Sequence, residues 1–412
     1  MYVASTRSGR PGASSTLRTA VPRTVVLLGT VSLLTDVSSE MVTAFLPVYL
    51  VFTLNMSYLQ VGMLDAVYTG ATSVLRMVGG YLSDKIGRHK AVAVAGYGLS
   101  AVTKLAFPAV GASAAGLSGV LAVDRAGKGL RTAPRDAMIS LVTTKEKLGR
   151  SFGVHRMMDT IGALLGPLAT YLVLTSLGTK PGPIFMISFC FAMLGLIVLV
   201  CFVRQPPKAE AVPSASRVSV KRSLALLREP GIARTSLAAL MLGLVSIADV
   251  FVYLVLQSTT GVDPRLLPLM PLGTALVFLL AATPLGQLAD KVGRWKVFFA
   301  GHVVLLGVYL LLLGPFGGLP LAACTLLLHG LFYAATDGVL MAHGATLVAP
   351  ELRASGLAIV QTAQAVGRFT SSLLFGLLMT QLSMASAVLV AVVALAATLI
   401  TVSALIRPAA GA

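Results

Sequence analysis

Charged side chains are scarce in this sequence: Asp, Glu, Lys and Arg make up 11% of the 412 residues, whereas hydrophobic residues make up 56%. An ordinary soluble domain is about a quarter charged. The scarcity of charge, with a mean hydropathy of +0.88, excludes an ordinary soluble domain and indicates a polytopic membrane protein. A membrane helix needs about 20 apolar residues, so the length suits twelve spans with short loops.

Cysteine and tryptophan are also rare. The three cysteines lie in apolar runs, at spacings that form neither a disulfide framework nor a metal site. We therefore expect no metal and no cofactor. The single tryptophan argues against a purely apolar drug pocket and favours a polar or charged solute.

Apolar runs separated by charge clusters, Gly and Pro predict an all-α membrane protein with twelve transmembrane helices. The predicted spans are 24–52, 58–82, 90–109, 114–139, 152–175, 183–203, 232–257, 264–288, 297–314, 320–346, 354–378 and 384–405. The first apolar run lacks a small-residue cleavage pattern, so we expect a retained span rather than a signal peptide.

Acidic residues number 15 against 32 Lys and Arg, which gives a net charge of +17. The basic residues do not form one soluble face, which argues against nucleic acid as a partner. The loops on one side of the predicted bundle hold only Lys180 and Arg265, while the opposite loops and both tails hold most of the others. The positive-inside rule predicts that both termini are cytoplasmic, for a protein of the cell inner membrane.

One long polar connection, 204–231, is rich in Pro, Ser and basic residues and is typical of a linker. The remainder then divides into a tail (1–23), a six-helix bundle (24–203), a second six-helix bundle (232–405) and a short tail (406–412). The segment GYLSDKIGRHK at 80–90 recurs as GQLADKVGRWK at 286–296. The repeat predicts two pseudo-symmetric bundles, an arrangement found in alternating-access transporters.

This repeated segment resembles the signature loop of the major facilitator superfamily, which lies between helices 2 and 3 and again between helices 8 and 9. The resemblance covers about 24–405 and implies a transporter of a small molecule, not an enzyme. The loops are expected to act as conformational latches, with glycines for tight turns and acids that pair with Arg or a helix N-terminus. The matching residues are Gly80, Asp84, Gly87, Arg88 and Lys90, and Gly286, Asp290, Gly293, Arg294 and Lys296.

The fifth span contains Gly162, Gly166 and Pro167, which partly match a helix 5 motif resembling that of the superfamily's antiporter branch. Small residues four apart permit close helix packing, and the proline bends the helix. Earlier in this span, His155 and Arg156 can each reach Asp159. That group is either a local ion-pair cluster or part of a proton relay.

Charges within a membrane cost about 2.5 to 3.5 kcal/mol each on insertion scales, so they are expected to face protein or water. Asp36 and Glu40 share one face of the first span near the membrane midplane, where two neighbouring carboxylates cannot both ionise cheaply. We expect them to couple transport to protons, together with Arg125. The alternative is a permanent salt bridge to Arg125 or Lys128.

The fourth span places Asp124, Lys128, Arg131 and Arg135 on one helical face. Arg125 resembles the arginine of the superfamily's helix 4 pattern. Two interpretations of this face remain: contacts to a solute, or mutual neutralisation of Asp124 and Lys128 with the arginines extending to lipid headgroups. The predicted substrate-binding residues are Asp65, Asp124, Lys128, Arg131, Asp249, Asp337 and Arg368.

We expect Asp337 and Arg368 to pair in the second half. The leading hypothesis is a monomeric, lipid-embedded secondary transporter, resembling the proton-coupled efflux branch, that exports a drug or metabolite by proton antiport. The alternative is proton-coupled uptake of a sugar, organic acid or other anionic solute, with Lys128, Arg131 and Arg368 as anion contacts.

Overall fold

A computed structural model describes residues 21–68, 86, 88–143, 148–178, 180–205, 226–348 and 353–405. Helices account for nearly all of the first half in this part of the chain. They are α1 (Arg23–Pro47, extended by a π-helix over Val48–Thr53), α2 (58–68), α3 (His89–Ala109), α4 (Ala114–Leu141), α5 (Leu148–Leu177) and α6 (Pro181–Phe202).

The described part of the second half is also mostly helical. Two of its predicted spans are each divided into two helices. Its helices are α7 (Pro230–Leu244), α8 (Asp249–Thr260), α9 (Leu269–Val292), α10 (Arg294–Leu313), α11 (Gly318–Thr336), α12 (Val339–Gly344), α13 (Arg353–Gln381) and α14 (Met384–Leu405). Short 3-10 turns cover Leu226–Arg228 and Pro264–Leu266.

Nine helical segments of the described chain are long and apolar enough to cross a membrane. The long helices α4 and α13, together with the described part of the second span, α2, complete the twelve-helix fold. The surface away from the core is apolar, with Leu280, Val393 and Ile400 strongly exposed. Such a surface suits contact with lipid chains.

The two halves repeat one packing scheme. In the first, α1 packs on α5 and α6, and α3 packs on α4 and α6. In the second, α7 packs on α13 and α14, and α10 packs on α11 and α14. Each half therefore forms the six-helix bundle that the sequence repeat predicts. The tail 1–20, most of the linker 204–231 and the tail 406–412 lie outside the described residues, so the exact bundle limits stay predictions.

Between the halves, α2 meets α13 and α5 meets α9. The first of these contacts joins residues 58–65 to residues 372–380, and we call it the seam. There Thr380 Oγ1 accepts a hydrogen bond from the Leu59 amide at 3.0 Å, and Gly62 lies against the backbone of Gly376. The absence of side chains at both glycines lets the two helices touch.

The seventh predicted span is broken at residues 245–248, between α7 and α8. Freed backbone groups inside a membrane need partners, and Tyr309 of α10 provides them. Its hydroxyl accepts from the Ile247 amide at 2.6 Å and lies 3.3 Å from the Val245 carbonyl oxygen. The break leaves Asp249 in the first turn of α8, where an acid is favourable.

The tenth predicted span is also interrupted, at Asp337 and Gly338. The segment predicted as one span, 320–346, therefore forms two helices, α11 and α12. Gly338 adopts a positive φ of 81°, which glycine accepts without steric cost. Sequence periodicity alone missed both interruptions.

Tight packing of α1 against α5 depends on the glycines of the fifth span. A methyl group added at Gly166 would lie 2.7 Å from Glu40 Cβ, and one at Gly162 would strike the backbone of Leu33. In the second half, Gly243 and Gly367 bring α7 and α13 equally close. Glycine thus sets the helix spacing at equivalent places in both bundles.

We predict that Gly166→Ala lowers the free energy of unfolding by about 1–3 kcal/mol, because the new methyl group overpacks the α1–α5 contact. The measurement is reversible unfolding in mixed detergent micelles. Gly153→Ala is the matched control, since Gly153 lies on the same helix with open space around it. There we expect stabilisation by up to about 1 kcal/mol, from the better helix propensity of alanine. Equal effects at the two positions would contradict this account of the packing.

Candidate functional site

A cavity of about 280 Å³ lies between the halves. Three carboxylates line it: Glu40 from α1, Asp65 from α2 and Asp249 from α8. Tyr68 and Tyr253 supply aromatic surface. The residues come from both bundles, so relative movement of the halves would reshape the cavity.

A second cavity of about 220 Å³ shares Asp65, Tyr68 and Asp249 with the first. It adds Tyr333 of α11 and Arg368 of α13 to the lining. The two cavities therefore adjoin at the interface of the halves, and the residues that they share are polar.

Two ion pairs join α1 to α4 beside this region. Glu40 Oε1 lies 3.6 Å from Lys128 Nζ, and Asp36 Oδ1 lies 3.7 Å from Arg131 Nη2. The helices run in opposite directions, so acids four residues apart on α1 meet cations three residues apart on α4. The predicted pair Asp36 and Glu40 thus faces two cations, of which Arg131 also stacks on Tyr97 with its Cζ 4.5 Å from the ring centroid.

Below these pairs, Ser32 continues the same face of α1. Its hydroxyl accepts from Arg135 Nη1 at 3.0 Å and lies 3.0 Å from His155 Nε2 on α5. Arg135 also bonds Asp136 at 2.9 Å. Ser32 therefore links three helices, and His155 points to α1 instead of to Asp159, which lies on its own helix.

Asp159 of α5 completes this polar layer. Arg135 and Arg156 lie 3.7 and 3.8 Å from its two oxygens. Asp36 and Asp159 also interact electrostatically, so ionisation of one carboxyl group opposes ionisation of the other.

Asp124 occupies a different place, fully buried between α3 and α4. Lys104 Nζ lies 2.5 Å from one oxygen, and Arg125 Nη2 lies 2.7 Å from the other. The hydroxyls of Ser100 and Thr103 donate to it at 2.7 and 3.1 Å. With both oxygens engaged, Asp124 lies away from the cavity lining and holds two helices together. The alternative interpretation, in which Asp124 pairs with Lys128, does not hold, because Lys104 and Arg125 take that place.

Arg125 reaches the cavity only through an aromatic ring. Its Cζ lies 4.2 Å from the ring centroid of Tyr68, one of the lining residues, while its Nη2 is held by Asp124. A stacked guanidinium interacts with the ring quadrupole. The structure therefore ties Arg125 to both the buried network and the cavity wall.

Asp249 is the centre of the second-half site. Tyr333 donates a hydrogen bond to its Oδ1 at 2.6 Å, and His329 Nε2 lies 3.5 Å from the same atom. Arg368 lies over the Tyr333 ring, with its Cζ 5.7 Å from the centroid. Asp249 thus has an aromatic hydroxyl as its hydrogen-bond donor, whereas Asp36 faces a cation.

The expected ion pair between Asp337 and Arg368 is not formed in the described structure. Asp337 ends α11 with an exposed side chain, whereas Arg368 faces Tyr333. The interruption of the tenth span moves Asp337 out of the helical register that the prediction assumed.

The second signature loop turns at Gly293, whose φ is 108°. Arg294 bonds Asp290 at 2.8–2.9 Å and also donates to the Ala342 carbonyl oxygen at 2.9 Å. Arg294 therefore fastens the start of α10 to α12. Among the described residues, no heavy atom lies within 4 Å of a Cβ built at Gly286.

The first signature loop is described only in part, since Gly80, Asp84 and Gly87 lie outside the described residues. Arg88 precedes the first turn of α3. Lys90 donates from its amide to the Gln205 side chain at 2.9 Å and from Nζ to the Val200 carbonyl oxygen at 2.8 Å. This end of α3 is thereby joined to the end of α6.

Among the residues that sequence reasoning missed are Lys104, Tyr333 and Ser372, whose hydroxyl lies 2.8 Å from Asp65 Oδ2. Lys104 had a usable signal, because a cation inside a span needs an anion nearby. Tyr333 and Ser372 had none, since neutral hydroxyls are common in membrane helices. No group of three or more His, Cys, Asp or Glu in the described chain is placed to hold a metal ion.

A family model for the Major Facilitator Superfamily matches residues 28–274 and 235–411. An uncharacterised MFS-type transporter of Methanocaldococcus jannaschii is 30% identical over 366 residues, which are 86% of this chain and 88% of that protein. An uncharacterised protein of Mycobacterium tuberculosis is 31% identical over 189 residues, 46% of each chain.

Among solved structures, the nucleoside transporter NupG superposes with a TM-score of 0.79 at 15% identity, over 94% of this chain and 100% of that one. A D-xylose-proton symporter superposes with a TM-score of 0.70 at 17% identity, over 93% of this chain and 96% of that one. At such low identity the likeness shows a shared fold.

We predict that Lys104→Met destabilises the protein by about 3–5 kcal/mol, because a buried carboxylate loses one of its two cations. Adding Asp124→Asn should recover part of this loss, and a double-mutant cycle of unfolding free energies in detergent measures the coupling. Lys180→Met, at an exposed lysine, should stay within about 0.5 kcal/mol of the parent protein. Additive effects of Lys104→Met and Asp124→Asn would refute the buried network.

Proposed function

The chain belongs to the Major Facilitator Superfamily, and from this premise we propose that it exports a small polar solute, a drug or metabolite, in exchange for protons. The solute would bind between the halves, and rocking of the halves would expose it to each side of the membrane in turn. We place the protein in the cell inner membrane as a lipid-embedded monomer with both termini cytoplasmic, following the distribution of its basic residues.

The observation that supports this proposal best is the convergence of Glu40, Asp65 and Asp249 on one cavity between the halves. A carboxylate in a membrane interior costs free energy, so such residues are usually paired with another group or take part in function. A carboxylate that binds either a proton or a solute, but not both, exchanges one for the other. Three such groups facing one space favour proton antiport.

The cavity chemistry favours a solute with cationic or hydrogen-bond-donating groups. Lys128 and Arg131 each have an acid of α1 beside them, so their charge is already balanced. With Glu40 paired to Lys128, the other charged groups among the described residues that line the two cavities are two acids, Asp65 and Asp249, and one cation, Arg368. Electrostatic complementarity then selects against anions.

Proton coupling would act through the ion pairs of α1 and α4. Protonation of Glu40 or Asp36 removes its attraction to Lys128 or Arg131 and leaves a cation without a counter-charge in a low-dielectric site. That change favours a different arrangement of the two halves. The electrostatic interaction of Asp36 with Asp159 would extend the same coupling to α5.

The conformation fits an inward-facing state under the predicted orientation. The seam lies at the predicted outward end and is closed. At the opposite end, Asp290 is 63% exposed, and no heavy atom of the described residues lies within 4 Å of a Cβ built at Gly286. We propose that the signature loops latch the inward end only when the protein faces outward.

Uptake of an anionic solute is the alternative. It requires unpaired cations at the cavity, and the pairing of Lys128 and Arg131 gives it less support than export. Counterflow in right-side-out and inside-out vesicles distinguishes the directions. Ethidium, gluconate and xylose serve as a cationic, an anionic and a neutral probe.

We predict that the double variant Asp36→Asn with Glu40→Gln loses most of the dependence of transport on an imposed pH gradient, because neither position can then release a proton. The measurement is solute flux in proteoliposomes with and without the gradient. Glu229→Gln, an exposed acid at the start of α7, is the control and should behave as the parent protein. An undiminished gradient dependence in the double variant would disprove the proposed coupling.

A further inference from the structure

The carboxylate of Asp249 is held by a neutral hydroxyl group from another helix. Tyr333, on α11, donates a hydrogen bond from its Oη to Asp249 Oδ1 at 2.6 Å. That length is typical of a hydroxyl donor bonded to an ionised acceptor. Glu40, another acid of the first cavity, lies beside the cation Lys128 instead. Tyr333 therefore satisfies one oxygen of Asp249 and leaves the negative charge of the carboxylate in place.

The hydrogen bond from Tyr333 favours the ionised form of Asp249. A donor bonded to a carboxylate stabilises the anion and so opposes protonation. The position of Asp249 in the first turn of α8 acts in the same direction, because the amides at a helix N-terminus favour negative charge. Two separate features of the fold thus hold this carboxylate as an anion.

Asp249 nevertheless stays accessible from the space between the halves. It lines both cavities, and its side chain is 44% exposed. The contacts that Tyr333 and His329 make with it both fall on Oδ1. A positively charged group of a solute can therefore approach Oδ2 while Tyr333 keeps its hydrogen bond.

Other charged and titratable groups face Asp249 from several helices. None of them forms a hydrogen bond with Asp249 in the described part of the chain, and both ring nitrogens of the buried His329 lack a hydrogen-bond partner there. Tyr333 is thus the group whose removal changes the hydrogen bonding of this carboxylate. The surrounding groups are Glu40 on α1, Asp65 on α2, Tyr253 on α8, Tyr309 on α10, His329 on α11 and Arg368 on α13.

We propose that Tyr333 is a positioning residue that keeps Asp249 ionised and so favours a cationic solute over a proton at this carboxylate. The inference rests on the proposed exchange of solute for protons and adds the group that sets the balance at one acid. Acid still protonates Asp249, but Tyr333 moves that event to lower pH. Without the hydroxyl group, the proton competes more strongly with the solute at any given pH.

Infrared spectroscopy of the full-length protein in lipid measures the protonation of Asp249 directly, over a pH series and without solute. A protonated carboxyl group has a carbonyl stretching band that a carboxylate lacks. The part of this band that Asp249→Asn removes belongs to Asp249, and the same subtraction is made in each variant. In Tyr333→Phe we expect the midpoint of this signal about 1 to 2 pH units above that of the parent protein, the range for one hydrogen bond to a charged group.

Binding of ethidium, a cationic probe, gives the second readout. Protonation of Asp249 removes a charge that attracts the probe, so binding should weaken in acid. In Tyr333→Phe this loss should begin at a higher pH than in the parent protein, and binding should recover as the pH is raised further. A purely structural role of Tyr333 would instead weaken binding by the same factor at every pH.

Two other tyrosines serve as controls for the loss of a hydroxyl group. Tyr253 lines the first cavity and packs on His329, but its hydroxyl donates to Thr274 at 3.1 Å. Tyr171 lies on α5, outside the linings of both cavities. Tyr253→Phe and Tyr171→Phe should both leave the midpoint of Asp249 close to that of the parent protein.

An unchanged midpoint in Tyr333→Phe, or an equal shift in Tyr253→Phe, overturns the inference. A loss of ethidium binding that does not depend on pH also overturns it. Proton-for-solute exchange is measured separately in proteoliposomes. Intact exchange with an unchanged midpoint rejects this inference alone. A shifted midpoint in a protein that exchanges no protons rejects the proposed function and supports the effect of Tyr333 on Asp249.

Discussion

The structure depends above all on the cost of placing charge where water is scarce. In the described part of the first bundle, ionisable groups of α1, α3 and α4 meet partners of opposite charge. The pairs Glu40–Lys128 and Asp36–Arg131 hold α1 to α4, and Asp124 holds α3 to α4 through Lys104 and Arg125. Glycines on α5 then allow α1 to pack closely from its other side. Charge pairing and glycine contacts together define the first bundle around its inner face.

The second bundle repeats the helix packing with fewer charges. In the first half, carboxylates of α1 lie beside cations of α4. In the second half, the carboxylate of Asp249 accepts a hydrogen bond from the hydroxyl of Tyr333. This difference gives the central cavity an excess of acid. A solute and a proton can compete for these acids, and the competition is the physical basis of the proposed exchange.

Much of the fold was accessible from the sequence, because long apolar runs and a repeated loop are strong signals. The predicted spans 114–139 and 384–405 correspond to α4, Ala114–Leu141, and α14, Met384–Leu405. The interruptions at 245–248 and at Asp337 were not accessible from periodicity. Tyr309, a tertiary partner, satisfies backbone groups freed at 245–248, and the chain turns after Asp337 at Gly338, whose φ is 81°. The missing pair of Asp337 and Arg368 follows from the same cause.

The site was predicted less completely. Spacing along α1 and α4 indicated that acids would face cations, but the relative register of two antiparallel helices decides which residues meet. That register placed Arg131 opposite Asp36 and turned Asp124 towards Lys104. Tyr333 is a neutral residue whose importance comes only from its contact with Asp249.

The central claim is that protons and solute compete for the same carboxylates. It is tested most directly by adding solute to the purified, detergent-solubilised protein in weakly buffered solution and recording the pH. Competition predicts that each solute bound releases a proton, with release lost when the cavity acids are replaced by amides. Binding without proton release, or with proton uptake, would contradict exchange and indicate co-transport.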